Sequence, residues 1–242
     1  MKTCIIIPAR LGSSRLPNKV LADINGKAMI VRVYENCVRA NCGEVFVATD
    51  SEKVKIEIEK AGGRAILTDP NLPSGTDRIH AAITILDPEK KLYSTVINVQ
   101  GDVPNIEPFV IKQTNDLMQK VKADITTPIT LITDEAKKNK PNVVKAVVSF
   151  KGEGFGKALY FTRSVAPSGD GDLFEHIGLY IYSREALEKF VSLKPSTLEQ
   201  RESLEQLRAI ENDMIIFAKV VDFHPISVDV AEDLETARKK IK

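Results

Sequence analysis

Twelve consecutive residues, Pro8-Ala-Arg-Leu-Gly-Ser-Ser-Arg-Leu-Pro-Asn-Lys19, concentrate groups that can hold an anion. They leave Cys4-Ile-Ile-Ile7, an apolar run that reads as a buried strand. A loop of this kind suits a polyphosphate: glycine lets the backbone approach, serines and main-chain N–H groups donate, and Arg10, Arg15 and Lys19 supply charge. The same composition also serves an ordinary solvated loop. Asn98-Val-Gln-Gly-Asp102 ends a second apolar strand. Asp102 stands either where a carboxylate can hold Mg²⁺ beside phosphates or in a plain turn after glycine. Asp229, just ahead of a terminal helical segment, is either a helix N-terminal aspartate or a second Mg²⁺ ligand.

Two carboxylates, several cations and no evident nucleophile point to phosphoryl or nucleotidyl transfer, in which a protein mainly positions reactants and neutralises charge. Serine and cysteine hydrolases are disfavoured: Gly-x-Ser-x-Gly is missing and no cysteine has a cationic setting. The loop lacks the Gly-Lys-Ser/Thr of a Walker A motif. Cys4, Cys37 and Cys42 show no zinc-ligand spacing and read as reduced thiols of a cytoplasmic protein.

These groups need a scaffold, and the hydrophobic pattern supplies one. Helix-period segments at 27–40, 52–61 and 74–86 alternate with strand-like runs at 44–50, 64–68 and 94–100. That alternation predicts a parallel sheet covered on both faces. Asp50 or Ser51 can cap the second helix. Ser74 and Asp77 have capping-box spacing at the third, where Arg78 can also reach a ligand. After a helix at 108–122 the alternation lapses, and runs at 124–131, 142–149, 158–163, 175–182 and 214–219 suggest a mixed sheet with antiparallel additions. Gly152-x-Gly-x-Gly156 reads as a hairpin connection because no helix follows it. His176 and Tyr180 fall on one face of the 175–182 strand, as structural residues or as a shared sugar-binding surface. One helix is expected over 196–211, with Leu204, Leu207 and Ile210 inward and Glu205 and Gln206 off that stripe, solvated or facing a ligand. No linker is apparent, so 1–242 is expected to form a single domain.

Composition narrows the partners. The 242 residues carry a net charge of +1, which gives no electrostatic case for nucleic acid or a membrane surface. No apolar run approaches the roughly 18 residues of a membrane span.

Taken together, the motifs resemble the 3-deoxy-manno-octulosonate (Kdo) cytidylyltransferase family. The loop from Ile7 to Lys19 is shared with the wider sugar nucleotidyltransferases. The match becomes specific through Ile24-Asn-Gly-Lys27, Val47-Ala-Thr-Asp50, Ser74-Gly-Thr-Asp-Arg78, Asn98-Val-Gln-Gly-Asp102, Ala158-Leu-Tyr-Phe-Thr-Arg163, His176-Ile-Gly-Leu-Tyr180, Leu204-Glu-Gln-Leu-Arg208 and Val228-Asp229. The resemblance implies an α/β, Rossmann-like nucleotidyltransferase fold with a mixed, mostly parallel central sheet, helices on both faces and a smaller antiparallel extension. It implies a cytoplasmic homodimer and the reaction of CTP with Kdo to CMP-Kdo and pyrophosphate, with Mg²⁺, for lipopolysaccharide synthesis. It also implies catalytic roles for Arg10, Lys19, Asp102 and Asp229, the two aspartates being the Mg²⁺ ligands. Pro8, Ala9, Arg10, Ser13, Arg15, Lys19, Ser74, Arg78 and Gln100 would surround the nucleotide, and Arg163, His176, Tyr180, Glu205 and Gln206 the sugar acid.

Three departures stand out. Val103 replaces the family's usual glutamate after Gln-Gly-Asp, Val230-Ala231 replaces Thr-Pro, and the stretch between Arg163 and His176 is short. They leave two alternatives: transfer to another acidic sugar of the sialic acid type, or a CTP-binding regulator without catalysis.

Overall fold

The computed structural model describes residues 2–12, 16–152 and 154–241. By internal packing the chain divides into two compact units, one of Met1–Lys112 with Pro225–Lys242 and one of Gln113–His224.

In the first unit, β1 (Lys2–Ala9) is followed by a small hairpin of β2 (Asp23–Ile24) and β3 (Lys27–Ala28), then α1 (Met29–Ala40), β4 (Glu44–Thr49), α2 (Glu52–Lys60), β5 (Arg64–Leu67), α3 (Gly75–Leu86), β6 (Tyr93–Val99) and α4 (Pro108–Lys120), within which the division falls. The strands run parallel in the order β6-β1-β4-β5. Ile5, Ile6, Ile7, Val47, Ala48, Val96 and Ile97 are buried, as a sheet covered on both faces requires. Full burial of each large aliphatic is worth about 1.5–3 kcal/mol. Strand order dictates the layers. Steps from β1 to β4 to β5 go one way, so right-handed crossovers put α1 and α2 on one face; the return to β6 puts α3 on the other. The order therefore reverses beside β1, and the crevice beyond the carboxyl ends of β1 and β6 is where such sheets bind ligands.

A smaller core fixes the segments that reach into that crevice. Ile24, Met29, Val228, Leu234 and Ala237 are buried together, with Leu16, Ala22 and Ile226 packed against them. They join the loop after β1, the hairpin and the terminal helix Ala231–Lys240. The hairpin turns at Asn25-Gly26, both at positive φ (50° and 83°), the conformation that Asn-Gly adopts in two-residue loops.

In the second unit, β7 (Ile125–Leu131), α5 (Glu135–Lys138), β8 (Lys145–Gly152), β9 (Phe155–Thr162), β10 (Phe174–His176), β11 (Leu179–Ser183), α6 (Arg184–Ser192), α7 (Thr197–Glu202), α8 (Gln206–Glu211) and β12 (Ile216–Val220) follow in order. β12 runs parallel to β7 and antiparallel to β9, while β10 and β11 pair antiparallel with β7, so this sheet is mixed. The Gly-rich segment is, as expected, the turn of the antiparallel β8–β9 hairpin.

Two expected elements are each broken. The 175–182 strand is interrupted at Ile177-Gly178, where Leu179 N–H donates to Ile177 C=O at 2.6 Å. The 196–211 helix stops at Ser203, held at φ 54°, before α8 begins. Among the described residues no helix is long and apolar enough to cross a membrane.

Candidate active site

A cavity of about 330 Å³ opens in the first unit beyond β1 and β6. Pro8, Arg10, Lys19, Ser74, Arg78, Gln100, Asp102 and Asp229 line it, together with apolar Val20, Leu72 and Pro73. Ala9 is buried as the last residue of β1 and does not line it. Ser13 and Arg15 lie outside the described residues. The floor is tight at Gly101, where a Cβ would stand 3.0 Å from Pro8 O and 3.2 Å from Ile30 Cδ1. Glycine there lets the β6 end lie against the β1 end.

Lys19 organises the floor. Asn18 precedes it in the left-handed conformation, which asparagine tolerates, and a short 3-10 turn, Lys19–Leu21, follows. Its ammonium donates to Asp102 Oδ2 at 2.8 Å and to Asp229 Oδ1 at 3.0 Å. The two aspartates are held together through the main chain, because Val228 N–H donates to Asp102 C=O at 2.9 Å. Asp233 Oδ2 accepts the amides of Asp229 and Val230 at the start of the terminal helix. Capping therefore falls to Asp233, and the Asp229 carboxylate turns to Lys19. Burial pulls the Lys19 pKa down, but Asp102 and then Asp229 outweigh it, and the net displacement is upward. The lysine stays charged throughout the physiological range.

Ser74 caps α3 by accepting Asp77 N–H at 3.1 Å, the N-cap bond that the spacing predicts, and its own hydroxyl donates to Asp77 Oδ2 at 2.6 Å. Arg78 is only 2% exposed. Its Nη1 donates to Thr68 Oγ1 at 2.6 Å, and its Nη2 faces Asp50 Oδ2 at 3.5 Å. Gln100 Nε2 donates to Asn98 Oδ1 at 3.0 Å, so buried Asn98 orients it.

The second unit gathers its own polar cluster. Despite the break in the strand, the His176 and Tyr180 rings lie 5.3 Å apart, and Phe161 meets His176 edge-on at 4.9 Å. Thr127 Oγ1 lies 2.7 Å from Leu179 C=O and 2.9 Å from His176 Nε2. If its single proton goes to the carbonyl, the hydroxyl accepts from His176, which places the imidazole proton on Nε2. Burial raises the Tyr180 phenol, and the nearby Glu205 carboxylate adds to that. Arg163 donates from Nε to Glu202 C=O at 2.7 Å, and through Nη1 and Nη2 to Pro141 and Ser203 carbonyls at 3.1 and 3.3 Å. It thus anchors the turn that leads to Glu205 and Gln206, and this clamp accounts for the helix break at Ser203. Gln206 is 5% exposed, so it belongs to the buried face and not to a solvated one.

Burial depresses the His176 pKa to about 3. An unfolded chain binds that proton near pH 6.5, so this residue's contribution is intact above pH 6.5 and declines as pH falls toward 3. Between pH 7 and pH 5 it accounts for about 1–2 kcal/mol of lost stability. Urea unfolding at the two pH values should show that loss, and His176→Gln, which keeps a donor for Thr127, should flatten it. An equal pH dependence in wild type and variant would refute the assignment.

Residues 4–216 match the cytidylyltransferase family. The 3-deoxy-manno-octulosonate cytidylyltransferase of Parvibaculum lavamentivorans is 50% identical over 235 residues, covering 97% of this chain and 90% of that protein. That of Bartonella bacilliformis is 47% identical over 239 residues, covering 99% and 98%. The chain belongs to the 3-deoxy-manno-octulosonate cytidylyltransferase family. The solved structure of CMP:2-keto-3-deoxy-manno-octonic acid synthetase complexed with CTP superposes with a TM-score of 0.89 at 36% identity, covering 99% of this chain and 98% of that one. A UDP-glucose pyrophosphorylase structure at 16% identity and a TM-score of 0.69 shares the fold alone. The expected α/β nucleotidyltransferase fold, a mixed sheet with helices on both sides, is therefore the fold of the chain.

Within this cytidylyltransferase the departures avoid the cavity. Val103 is 7% exposed and packs into the core, and Val230 and Ala231 lie exposed at the start of the terminal helix. The sequence reading missed Asp50 and Asn98 as groups acting on the site. Both stand in quoted motifs, at or near the carboxyl end of a strand, which was the available signal.

Proposed function

We propose that the chain transfers the cytidylyl group of CTP to Kdo, releasing pyrophosphate, with Mg²⁺ at Asp102 and Asp229. The observation that carries this reading is Lys19 bridging those two carboxylates in a cavity also lined by Arg10, Ser74 and Arg78. The anomeric hydroxyl oxygen bonds to the α-phosphorus and releases its proton to solvent, while the bond from that phosphorus to the β-phosphate bridge breaks and pyrophosphate leaves. Arg10 and Lys19 hold phosphate oxygens as charge moves onto the departing pyrophosphate. Val20, Leu72 and Pro73 offer apolar surface to the base.

The carboxylates suit the metal. Two hard-oxygen donors that already reach one shared cation are what Mg²⁺ uses beside phosphate and water. When bound, Mg²⁺ neutralises charge on the triphosphate. In the second unit, Arg163, His176, Tyr180, Glu205 and Gln206 contact the sugar acid, with Arg163 supplying charge for its carboxylate. A homodimer in the cytoplasm belongs to the same reading; the exposed Phe150, Leu159 and Val165 offer apolar surface for the contact.

Incubation with CTP, Mg²⁺ and a panel of sugar acids tests the proposal. Pyrophosphate should appear at least tenfold faster with Kdo than with a sialic acid. Faster release with the sialic acid would reassign the substrate, and tight CTP binding without turnover of any sugar acid would make the chain a binding protein.

A further inference from the structure

Asp50 ends the Val47-Ala-Thr-Asp50 segment, one residue beyond β4 on the edge where the cavity opens. Its position permits a helix cap, but the carboxylate does something else. Ser51 is the N-cap of α2, and no side-chain cap bond is made there. Asp50 Oδ1 instead accepts Leu11 N–H, 39 residues away, at 3.0 Å. Its other oxygen faces Arg78 Nη2 at 3.5 Å. The Arg78 guanidinium is 2% exposed, and a cation so buried needs a countercharge. Thr68 completes the clamp: its hydroxyl accepts from Arg78 at 2.6 Å and donates to Thr49 C=O at 3.1 Å. Arg10, Gly12 and Arg78 all line the cavity, and Leu11 lies between the first two.

We propose that Asp50 is a positioning residue for nucleotide binding, one carboxylate oxygen fixing the cationic loop at Leu11 and the other fixing Arg78. This rests on the reading of the cavity as the CTP site. Asp50 touches no substrate itself. It holds the loop and the guanidinium in one register, so the cavity is preformed before the nucleotide arrives. The consequence is selective: nucleotide affinity should depend on Asp50, and sugar-acid affinity should not.

The test compares full-length wild type, Asp50→Ala and Asp50→Asn. Asparagine keeps an oxygen for Leu11 and removes the charge facing Arg78. CTP binding is measured by calorimetry, KM by pyrophosphate release, and the Leu11 amide by hydrogen exchange. Asp50→Ala should weaken CTP binding at least tenfold and leave the KM for the sugar acid within twofold. Asp50→Asn should fall between it and wild type. The Leu11 amide should exchange at least tenfold faster in Asp50→Ala. CTP affinity within twofold of wild type, or both substrates weakened in proportion to a fall in Tm, would overturn the proposal. Should Asp50→Ala fail to fold, Asp50→Asn carries the comparison. If wild type does not bind CTP, the cavity assignment fails, and an unchanged Leu11 exchange rate would then overturn the positioning role separately.

Discussion

Replacing Lys19 with methionine should lower kcat/KM for CTP by about 10²–10³, the usual loss when one preorganised donor to a developing charge is removed. Methionine keeps the length and apolar stem of lysine, so the loss reports the ammonium. A loop lysine adds little to folding, so its loss should lower activity far more than stability. The ion pairs set the size of the smaller effect. The side chain is 14% exposed and ion-paired to both Asp102 and Asp229. Without it the two carboxylates face each other across a short gap. The penalty is about 1 kcal/mol and not more, because Asp229 is 41% exposed and solvent screens it. The sign follows from linkage. In wild type the raised Lys19 pKa contributes stability that is complete at neutral pH and lost only as pH rises past about 10.5. In Lys19→Met that contribution is missing, so the deficit is present at neutral pH. Urea unfolding at pH 7 beside steady-state kinetics reads both halves. A kcat/KM within tenfold of wild type would remove Lys19 from the site.

How much of this could be read from the chain depends on the range of the force involved. The buried strands were legible because Ile5, Ile6 and Ile7, or Val96 and Ile97, leave no choice but a sheet covered on both faces. The cap at Ser74 was legible because both partners lie within four residues. The break at Ser203 was not: the 196–211 segment has helical periodicity, and what stops it is Arg163, some 40 residues away, bonding the carbonyls of Glu202 and Ser203. The kink at Ile177-Gly178 is similarly hidden, since alternation continues on either side of it. Local chemistry also leaves Asp229 open between cap and ligand; in the fold Asp233 takes the amides at the helix start and the Asp229 carboxylate pairs with Lys19. Asp50 shows the same limit in reverse. Its neighbours in sequence suggest a cap, and its partners at Leu11 and Arg78 come from elsewhere in the fold.

Asp102→Asn should lower kcat by about 10³ with little change in stability, since it removes the charge that places the Lys19 ammonium and would hold Mg²⁺ beside the phosphates. The side chains are nearly isosteric, and the Asp102 carbonyl that accepts Val228 N–H is unaffected, so Asp229 should keep its place. Loss of one of two neighbouring carboxylates also relieves repulsion, which offsets the weaker bond to Lys19. Because burial alone would lower the Lys19 pKa, the variant lysine should titrate below its wild-type value, which NMR of its side chain can follow. A metal role separates from this electrostatic one by a binding measurement. Wild-type affinity for CTP should rise when Mg²⁺ replaces EDTA, and that increment should be absent in Asp102→Asn. Asp229→Asn should behave alike but more mildly, its carboxylate being the more exposed of the two. If the pair holds one cation as a unit, the double variant should be little worse than Asp102→Asn, because groups that act together are not additive. Strictly multiplicative losses would instead mean that the two aspartates act separately, and the shared metal would have to be abandoned.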